Sequence, residues 1–376
     1  SVWGLNISNE SIIKDINDFK DRWVLIENLS SDSWAILDAE EFEIKKQIEN
    51  IGKPLNEWKN EIYRGVLTGL NEAFIIENET KEKLCQIDSN NQKIIKPILK
   101  GKNIKKYKAK WDGLWLIEAH NGYKKSKGEI IPPIDINDFP RVKEHLDTFE
   151  PKLSNRGDKG VTPYNLRNCA YQEEFTKEKI VWADIAREPS FSYLGPNIYF
   201  NNTVYFIVGD SLKYLLTVLN SRVIDFYFQK IGTDLGQDGG RYFKQFVELF
   251  PIPDIEEMYR KPFETLAEYL IYLNDPKQAP VLEKVSNEAV SQVFEDLVNM
   301  MVYELYFAEE MKAKEIDVLQ FVTEKAFPDI TQAEDPKAII QKVYYELQQK
   351  DNPIRNRILV ASSRSETIAR INAATS

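Results

Sequence analysis

The stretch Ile62-Tyr63-Arg64-Gly65-Val66-Leu67-Thr68-Gly69-Leu70-Asn71-Glu72-Ala73-Phe74-Ile75-Ile76 sets the reading of this chain. Gly65 and Gly69 are spaced as turn residues that accept positive φ. Thr68 and Asn71 carry short polar side chains that hydrogen-bond such a turn. Arg64, beside a fixed turn, is a candidate for a phosphate or guanine contact. The stretch ends in Ala73-Phe74-Ile75-Ile76, a β-type run. About twenty residues on comes Ile94-Ile95-Lys96-Pro97-Ile98-Leu99-Lys100-Gly101-Lys102-Asn103-Ile104-Lys105-Lys106-Tyr107.

That second stretch belongs to a basic block. Residues 90–130 hold eleven lysines against Asp112, Glu118 and Glu129, a local balance of +8. The whole chain carries −10, which by itself disfavours a polyanion partner. The acidity sits elsewhere: residues 256–376 hold 21 acids and 14 bases, a balance of −7. Tyr107, Trp111, Trp115 and Tyr123 interleave the lysines, a pattern of polyanion-facing surfaces, although Trp111 and Trp115 are assigned to the core rather than to base stacking.

Working outward, residues 1–58 read as a connecting segment. It holds the apolar pieces Trp23-Val24-Leu25-Ile26 and Trp34-Ala35-Ile36-Leu37 and a helix over 40–51. Phe42, Ile44, Ile48 and Ile51 lie on that helix's apolar side, with Gly52 as its cap. Residues 59–255 alternate short strands with turns. Leu114–Ile117, Lys179–Trp182 and Val204–Val208 are the clearest strands, and one long helix starts at Asp210 or Ser211 and runs to Tyr227. Pro251-Ile252-Pro253 is expected to break the chain. Residues 256–376 are helical in pattern, with a stripe over 281–308 and an N-cap at Asp335-Pro336. The fold class is α+β: a mixed domain followed by a helical one.

With 12% aromatic residues, wholesale disorder is excluded. No run of 18 apolar residues is present, so no membrane span is expected. Two cysteines, Cys85 and Cys169, suit a reducing cytoplasm and are expected to be buried thiols. The chain begins Ser1-Val2-Trp3-Gly4, without an initiator methionine, and is expected to be part of a longer polypeptide. No phosphate-binding glycine loop is present; Gly236-Gln237-Asp238-Gly239-Gly240 fits neither nucleotide pattern. Two histidines, His120 and His145, leave little for a metal site or triad. Asp329 and Asp335-Pro336-Lys337 resemble a nuclease motif as text, but a helix cap explains Asp335 better. No catalytic residue, metal site or cofactor is assigned to this chain.

The two opening stretches together resemble the target-recognition region of type IIG restriction–modification enzymes and related N6-adenine DNA methyltransferases, the TaqI-like specificity domain. In that family an Arg-Gly-x-x-Thr-Gly-x-Asn-x-Ala-Phe segment precedes an Ile-Lys-Pro-x-Leu-Arg-Gly-x-Asp-Ile segment. Here Lys100 and Asn103 replace the family's frequent Arg and Asp. Leu153-Ser154-Asn155-Arg156-Gly157-Asp158-Lys159-Gly160, Lys179-Ile180-Val181 and Leu216-Thr217-Val218-Leu219-Asn220-Ser221 resemble further family segments in the same order. So does Leu297-Val298-Asn299-Met300-Met301-Val302-Tyr303-Glu304-Leu305-Tyr306-Phe307.

The resemblance implies a DNA-recognition module whose methyltransferase and any nuclease lie elsewhere in the same polypeptide. S-adenosylmethionine and Mg²⁺ would serve that full-length enzyme, and the partners would be double-stranded DNA and the methyltransferase domain. Lys96, Lys100, Lys102, Lys105 and Lys106 are the phosphate candidates. Arg156 and Lys159, in a loop with two glycines, and Gln237, Arg241 and Lys244 are the groove-facing candidates, with Arg64, Thr68 and Asn71 at the turn. Two other readings stand beside this one: a helical scaffold that never meets DNA, and a complete nuclease, which needs an acid cluster.

Overall fold

The structure is a computed structural model that describes residues 2–5, 23–26, 38–231 and 240–375. Val2–Leu5 and Trp23–Ile26 pair as an antiparallel ribbon. Residues 34–37, 237 and the rest of the 236–239 loop lie outside the described residues.

Helix α1 (Ala39–Ile51) begins at Asp38, whose carboxylate accepts from the Glu41 amide at 2.8 Å. Ile44 and Ile48 are buried, while Phe42 and Ile51 stay exposed. Gly52 leads straight into a strand, Gly52–Pro54, which pairs with Pro251–Pro253. The prolines expected to break the chain therefore lie in an edge pair. Prolines suit that position because an edge strand leaves amide positions unpaired.

Then follow β1 (Asn60–Arg64), β2 (Ile75–Glu77), α2 (Asn78–Ile87), β3 (Ile95–Leu99), β4 (Leu114–Ile117), α3 (Pro140–Asp147), β5 (Lys179–Ala183), β6 (Ser192–Leu194), β7 (Tyr199–Phe200) and β8 (Val204–Gly209). The first sheet is antiparallel, in the order β6-β5-β8-β1. The second runs β7-β3-β4-β2, with β7 parallel to β3. The expected strand at Ala73 starts instead at Ile75, after a helical turn over Asn71–Phe74. Helices α2 and α3 went unread because their apolar stripes are short.

The first sheet is covered on both faces, and strand alternation shows how. On β5, Ile180 and Trp182 join the core shared with the helices, whereas Val181 joins the core under the second sheet. On β8, Ile207 takes the helical side and Val204, Phe206 and Val208 the other. Lys179 is buried at the start of β5, its Nζ donating to the carbonyls of Phe175 (2.9 Å) and Gly195 (3.3 Å). Burial pulls that ammonium down to about 8.

The long helix expected after residue 210 is two helices, α4 (Leu212–Leu219) and α5 (Arg222–Ile231). Asn220 ends the first by turning inward to bond both the amide and the carbonyl of Phe191, each at 2.9 Å. Ser221 sits at the entry to the second. Ser211 precedes α4 with a left-handed φ of 53° and makes no side-chain cap. Every residue of helix α4 except Lys213, which pairs with Glu268, is buried. Burial of Leu215, Leu216 and Leu219 stabilises the fold by about 1.5–3 kcal/mol each.

The remaining helices are α6 (Glu257–Asn274), α7 (Asn287–Ala313), α8 (Pro336–Leu347), α9 (Pro353–Arg364) and α10 (Glu366–Ala374). Helix α7 starts at 287 rather than 281 because Ser286 caps it, accepting from the Ala289 amide. Asp335 caps α8 as expected, accepting from the Ala338 amide at 3.0 Å. Helix α6 packs on α4 and α7. One apolar core runs from Ile44 and Ile48 through α4, α6 and α7 to Ile368 and Ile371. The core is therefore continuous across residue 255.

Candidate nucleic-acid interface

The turn Asn201-Asn202-Thr203, between β7 and β8, joins the two sheets. The Asn201 amide donates to the Leu99 carbonyl at 3.2 Å. Thr203 Oγ1 donates to Asn201 Oδ1 and accepts from the Gly101 amide at 3.2 Å. The Thr203 carbonyl accepts from the Asp184 amide at 2.9 Å. Three segments distant in sequence thus meet at this turn, and each brings charge.

Arg64 ends β1, opposite Tyr205 on β8. Its guanidinium lies 5.2 Å from the Tyr205 ring centroid. Its Nε donates to the Asn202 carbonyl at 2.6 Å, and Nη2 lies 3.6 Å from the Asp184 carboxylate. Nearly half of the side chain (46%) remains exposed, against 19% for Asp184. Burial raises the Asp184 carboxyl, and the charges of Arg64 and Arg241 oppose that rise.

Arg241 reaches the same place along another path. Gly240–Arg241 pairs with Ile185–Ala186, with Arg241 opposite Ile185. Its guanidinium lies 5.5 Å from the Phe243 ring centroid. Lys244 follows, its Nζ donating to the Ile62 carbonyl on β1 at 3.3 Å. Lys100 and Lys102 flank Gly101 on the other side of the turn. Arg64 and the Lys100–Lys102 segment thereby meet at Asn201–Thr203, Arg241 acts on Asp184 beside them, and Lys244 rests against β1.

The turn after Arg64 forms as its residues suggest. The Val66 amide donates to the Phe200 carbonyl, and a Cβ on Gly65 would fall 2.1 Å from the Asn201 carbonyl oxygen. Close approach, not positive φ, therefore requires glycine at 65. Gly69 does take the left-handed conformation, with φ +68°. Thr68 is buried; its hydroxyl donates to Asn71 Oδ1 at 2.7 Å and accepts from the Leu70 amide. Thr68 thus serves the turn and presents nothing outward, while Asn71 keeps an exposed amide.

Arg156 corrects the sequence reading. It was expected in a groove-entering loop, yet it is 6% exposed. Its Nη1 donates to the carbonyls of Thr68 and Asp158, and Nη2 to those of Pro163 (2.9 Å) and Asn165. Its guanidinium lies 4.4 Å from the Phe74 ring centroid. Backbone carbonyls take both Nη groups, while the buried Nε has no partner, so the side chain braces two loops. Lys159 stays exposed, with Nζ on the Ser154 carbonyl. Gln237 lies outside the described residues.

The lysine block divides. Lys106 pairs with Glu295 at 3.1 Å and Lys108 with Glu288 at 3.7 Å, both acids on α7. Lys106 is therefore a tie to the helices, contrary to its expected phosphate role. Lys102 is exposed and lies 3.4 Å from Asp112. Among the described residues no ion pair engages Lys96, Lys100 or Lys105.

Trp111 departs from expectation, whereas Trp115 is partly buried against the core under the second sheet. Trp111 is 42% exposed and meets Trp115 edge-on at 4.9 Å. Lys81 stands over the Trp115 ring. The cysteines are half-buried rather than buried. Asp184, Asn202 and Tyr205 escaped sequence reasoning, since a lone acid after a strand and a polar turn carry no motif.

Among the described residues no three His, Cys, Asp or Glu side chains gather as metal ligands. Asp329 is held low by its bond to Lys261 and by Thr331, and Asp335 caps α8, so the nuclease-like text is structural. No helix among the described residues is long and apolar enough to cross a membrane.

An α+β module with a cationic cluster at the junction of its two sheets is the class that fold and site define. A family model described as the TaqI-like C-terminal specificity domain matches residues 96–252. Strands β1 and β2 lie upstream of the matched range, yet they complete its two sheets. The type II methyltransferase M.BstVI of Geobacillus stearothermophilus is 23% identical over 281 residues, covering 72% of this chain and 44% of the relative. The chain spans less than half the length of that relative. Two solved structures are similar at lower identity. The type IIL restriction–modification enzyme MmeI in complex with DNA is 11% identical, with a TM-score of 0.43 over 78% of this chain and 36% of MmeI. The type IIG restriction endonuclease BpuSI is 12% identical, with a TM-score of 0.40 over 71% of this chain and 33% of BpuSI.

Proposed function

We propose that this chain is the sequence-specific DNA-recognition module of a restriction–modification enzyme. It holds duplex DNA in register for an adenine methyltransferase carried by the same polypeptide. The observation that carries this reading is the meeting of Arg64 and the Lys100–Lys102 segment at one turn, with Arg241 paired to the strand that follows Asp184. Cations gathered from three separate segments onto one exposed junction suit a phosphate backbone, and the specificity-domain match supports the same reading. Lysines grip and set register, while a few side chains read bases.

Recognition rather than chemistry is assigned to this chain. S-adenosylmethionine and Mg²⁺ are assigned to the remainder of the enzyme; here Asp329 pairs with Lys261 and Asp335 caps α8. The acidic α7 acts as a docking strut, since Glu288 and Glu295 neutralise the inner end of the lysine block. A scaffold without DNA contact gives no reason for cations to remain exposed at the sheet junction.

The test is fluorescence anisotropy with a labelled duplex in EDTA. Binding is expected without metal, weakening as salt rises. Converting Lys100, Lys102, Arg241 and Lys244 together to Ala is expected to abolish it with the fold intact. Unchanged binding in that variant, or none in the parent chain, refutes the reading.

A further inference from the structure

The Arg64 guanidinium is held along one edge and left open along another. Its Nε and Nη2 face the Asn202 carbonyl and the Asp184 carboxylate. The Tyr205 ring packs against the group, its centroid 5.2 Å away. Among the described residues no hydrogen bond engages Nη1. The fork made by Nη1 and the outer hydrogen of Nη2 therefore remains, with two parallel donors on a side chain that is 46% exposed. A fork of that kind fits two adjacent acceptors: the O6 and N7 of guanine, or two oxygens of a phosphate.

Asp184 decides between them. Its carboxylate sits 3.6 Å from the same guanidinium, and an anionic phosphate seated on the fork would face that negative charge. The guanine edge is neutral and meets no such repulsion. Arg241, opposite Ile185, also acts on the Asp184 carboxylate, so the acid sits between two cations and needs no third partner.

We infer that Arg64 reads a guanine through its open fork in the major groove, and that Asp184, with the Asn202 carbonyl, is the positioning residue that aims it. This rests on the DNA-recognition reading and adds a base, an atom pair and a residue that no sequence motif marks. The carboxylate acts through Arg64 and does not itself touch the base. Loss of Asp184 thus has a distinctive signature: one base position loses its preference while the grip on DNA persists.

The experiment uses the full chain and a pool of labelled duplexes with a randomised core, bound, recovered and sequenced. The parent chain is expected to enrich guanine at one position. Replacing that guanine by 7-deazaguanine, which lacks N7, is expected to weaken binding about tenfold or more. Arg64→Lys keeps the charge and loses the fork; Asp184→Asn keeps the shape and loses the charge. Both are expected to lose preference at that one position and to retain the others, with thermal melting near that of the parent. Three results overturn the inference. Arg64→Lys and Arg64→Ala weakening all sequences alike assigns Arg64 to phosphate. Asp184→Asn leaving the guanine preference intact removes its positioning role. Asp184→Asn changing a different position makes the acid itself a reader. A parent chain that enriches no sequence defeats the DNA-recognition reading instead, so the two failures are distinguishable.

Discussion

Replacing Arg156 by alanine is expected to damage the fold rather than base preference. The side chain lies inside, donating to the carbonyls of Thr68, Asp158, Pro163 and Asn165. A hydrogen bond involving a charged group contributes about 1.5–3 kcal/mol net. Four such bonds do not add, because the folded state has already borne the desolvation of the cation. Truncation leaves four carbonyls without these donors and removes the plane stacked on Phe74. A buried acceptor left unsatisfied costs about 1–3 kcal/mol, so the loss here is on the order of a few kcal/mol. Arg156→Ala is expected to lose that much in urea unfolding followed by tryptophan fluorescence. Arg156→Lys is expected to recover only part, since one ammonium cannot reach carbonyls on both sides of a planar fork. Amide exchange should quicken first in the 65–71 turn and the 158–166 loop, which the guanidinium joins. A variant within about 0.5 kcal/mol of the parent, as for an ordinary surface substitution, would refute the bracing role; a changed base ranking in that same stable variant would return Arg156 to the groove.

The lysines give a second outcome: Lys100, Lys102 and Lys105 converted together to Ala should flatten the slope of log K against log salt by about 2.7, at roughly 0.9 per phosphate lost. By contrast, Lys106→Ala should leave the slope unchanged and lower the melting temperature, because its charge serves Glu295 on α7. Glu118 supplies a pH dependence. Burial pushes its carboxyl up to about 7, against the opposing effects of Lys96 and a 2.6 Å bond from Gln172. The folded state therefore holds a proton that the unfolded state has released, and stability falls as pH rises from about 4.5 to about 7. Glu118→Gln should remove that decline and gain about 3 kcal/mol at pH 8, read by denaturation at several pH values.

Much of the fold was legible locally. The alternation in Lys179–Ala183 and Val204–Gly209 marked strands, since every second side chain faces the same layer. Asp335-Pro336 marked a helix start through an acceptor and a fixed φ. Asn220 was harder to read, because whether a polar residue late in a helical pattern continues or ends the helix depends on Phe191, twenty-nine residues away.

The candidate site divides in the same way. The sequence by itself determined that Gly65–Asn71 is a tight polar turn, that cations crowd residues 93–110, and that the chain's acidity lies outside that block. Only the tertiary structure decided which cations face outward. Arg64 and Arg156 look alike as arginines beside glycines. Yet one lies at a strand end over Tyr205, and the other is enclosed by four carbonyls from two loops. Asp184 had no local pattern at all, and its role exists because Asn201–Thr203 holds residues 64, 101 and 184 together. Periodicity records which face of an element is apolar; it carries no record of which elements, far apart in the chain, will share a turn.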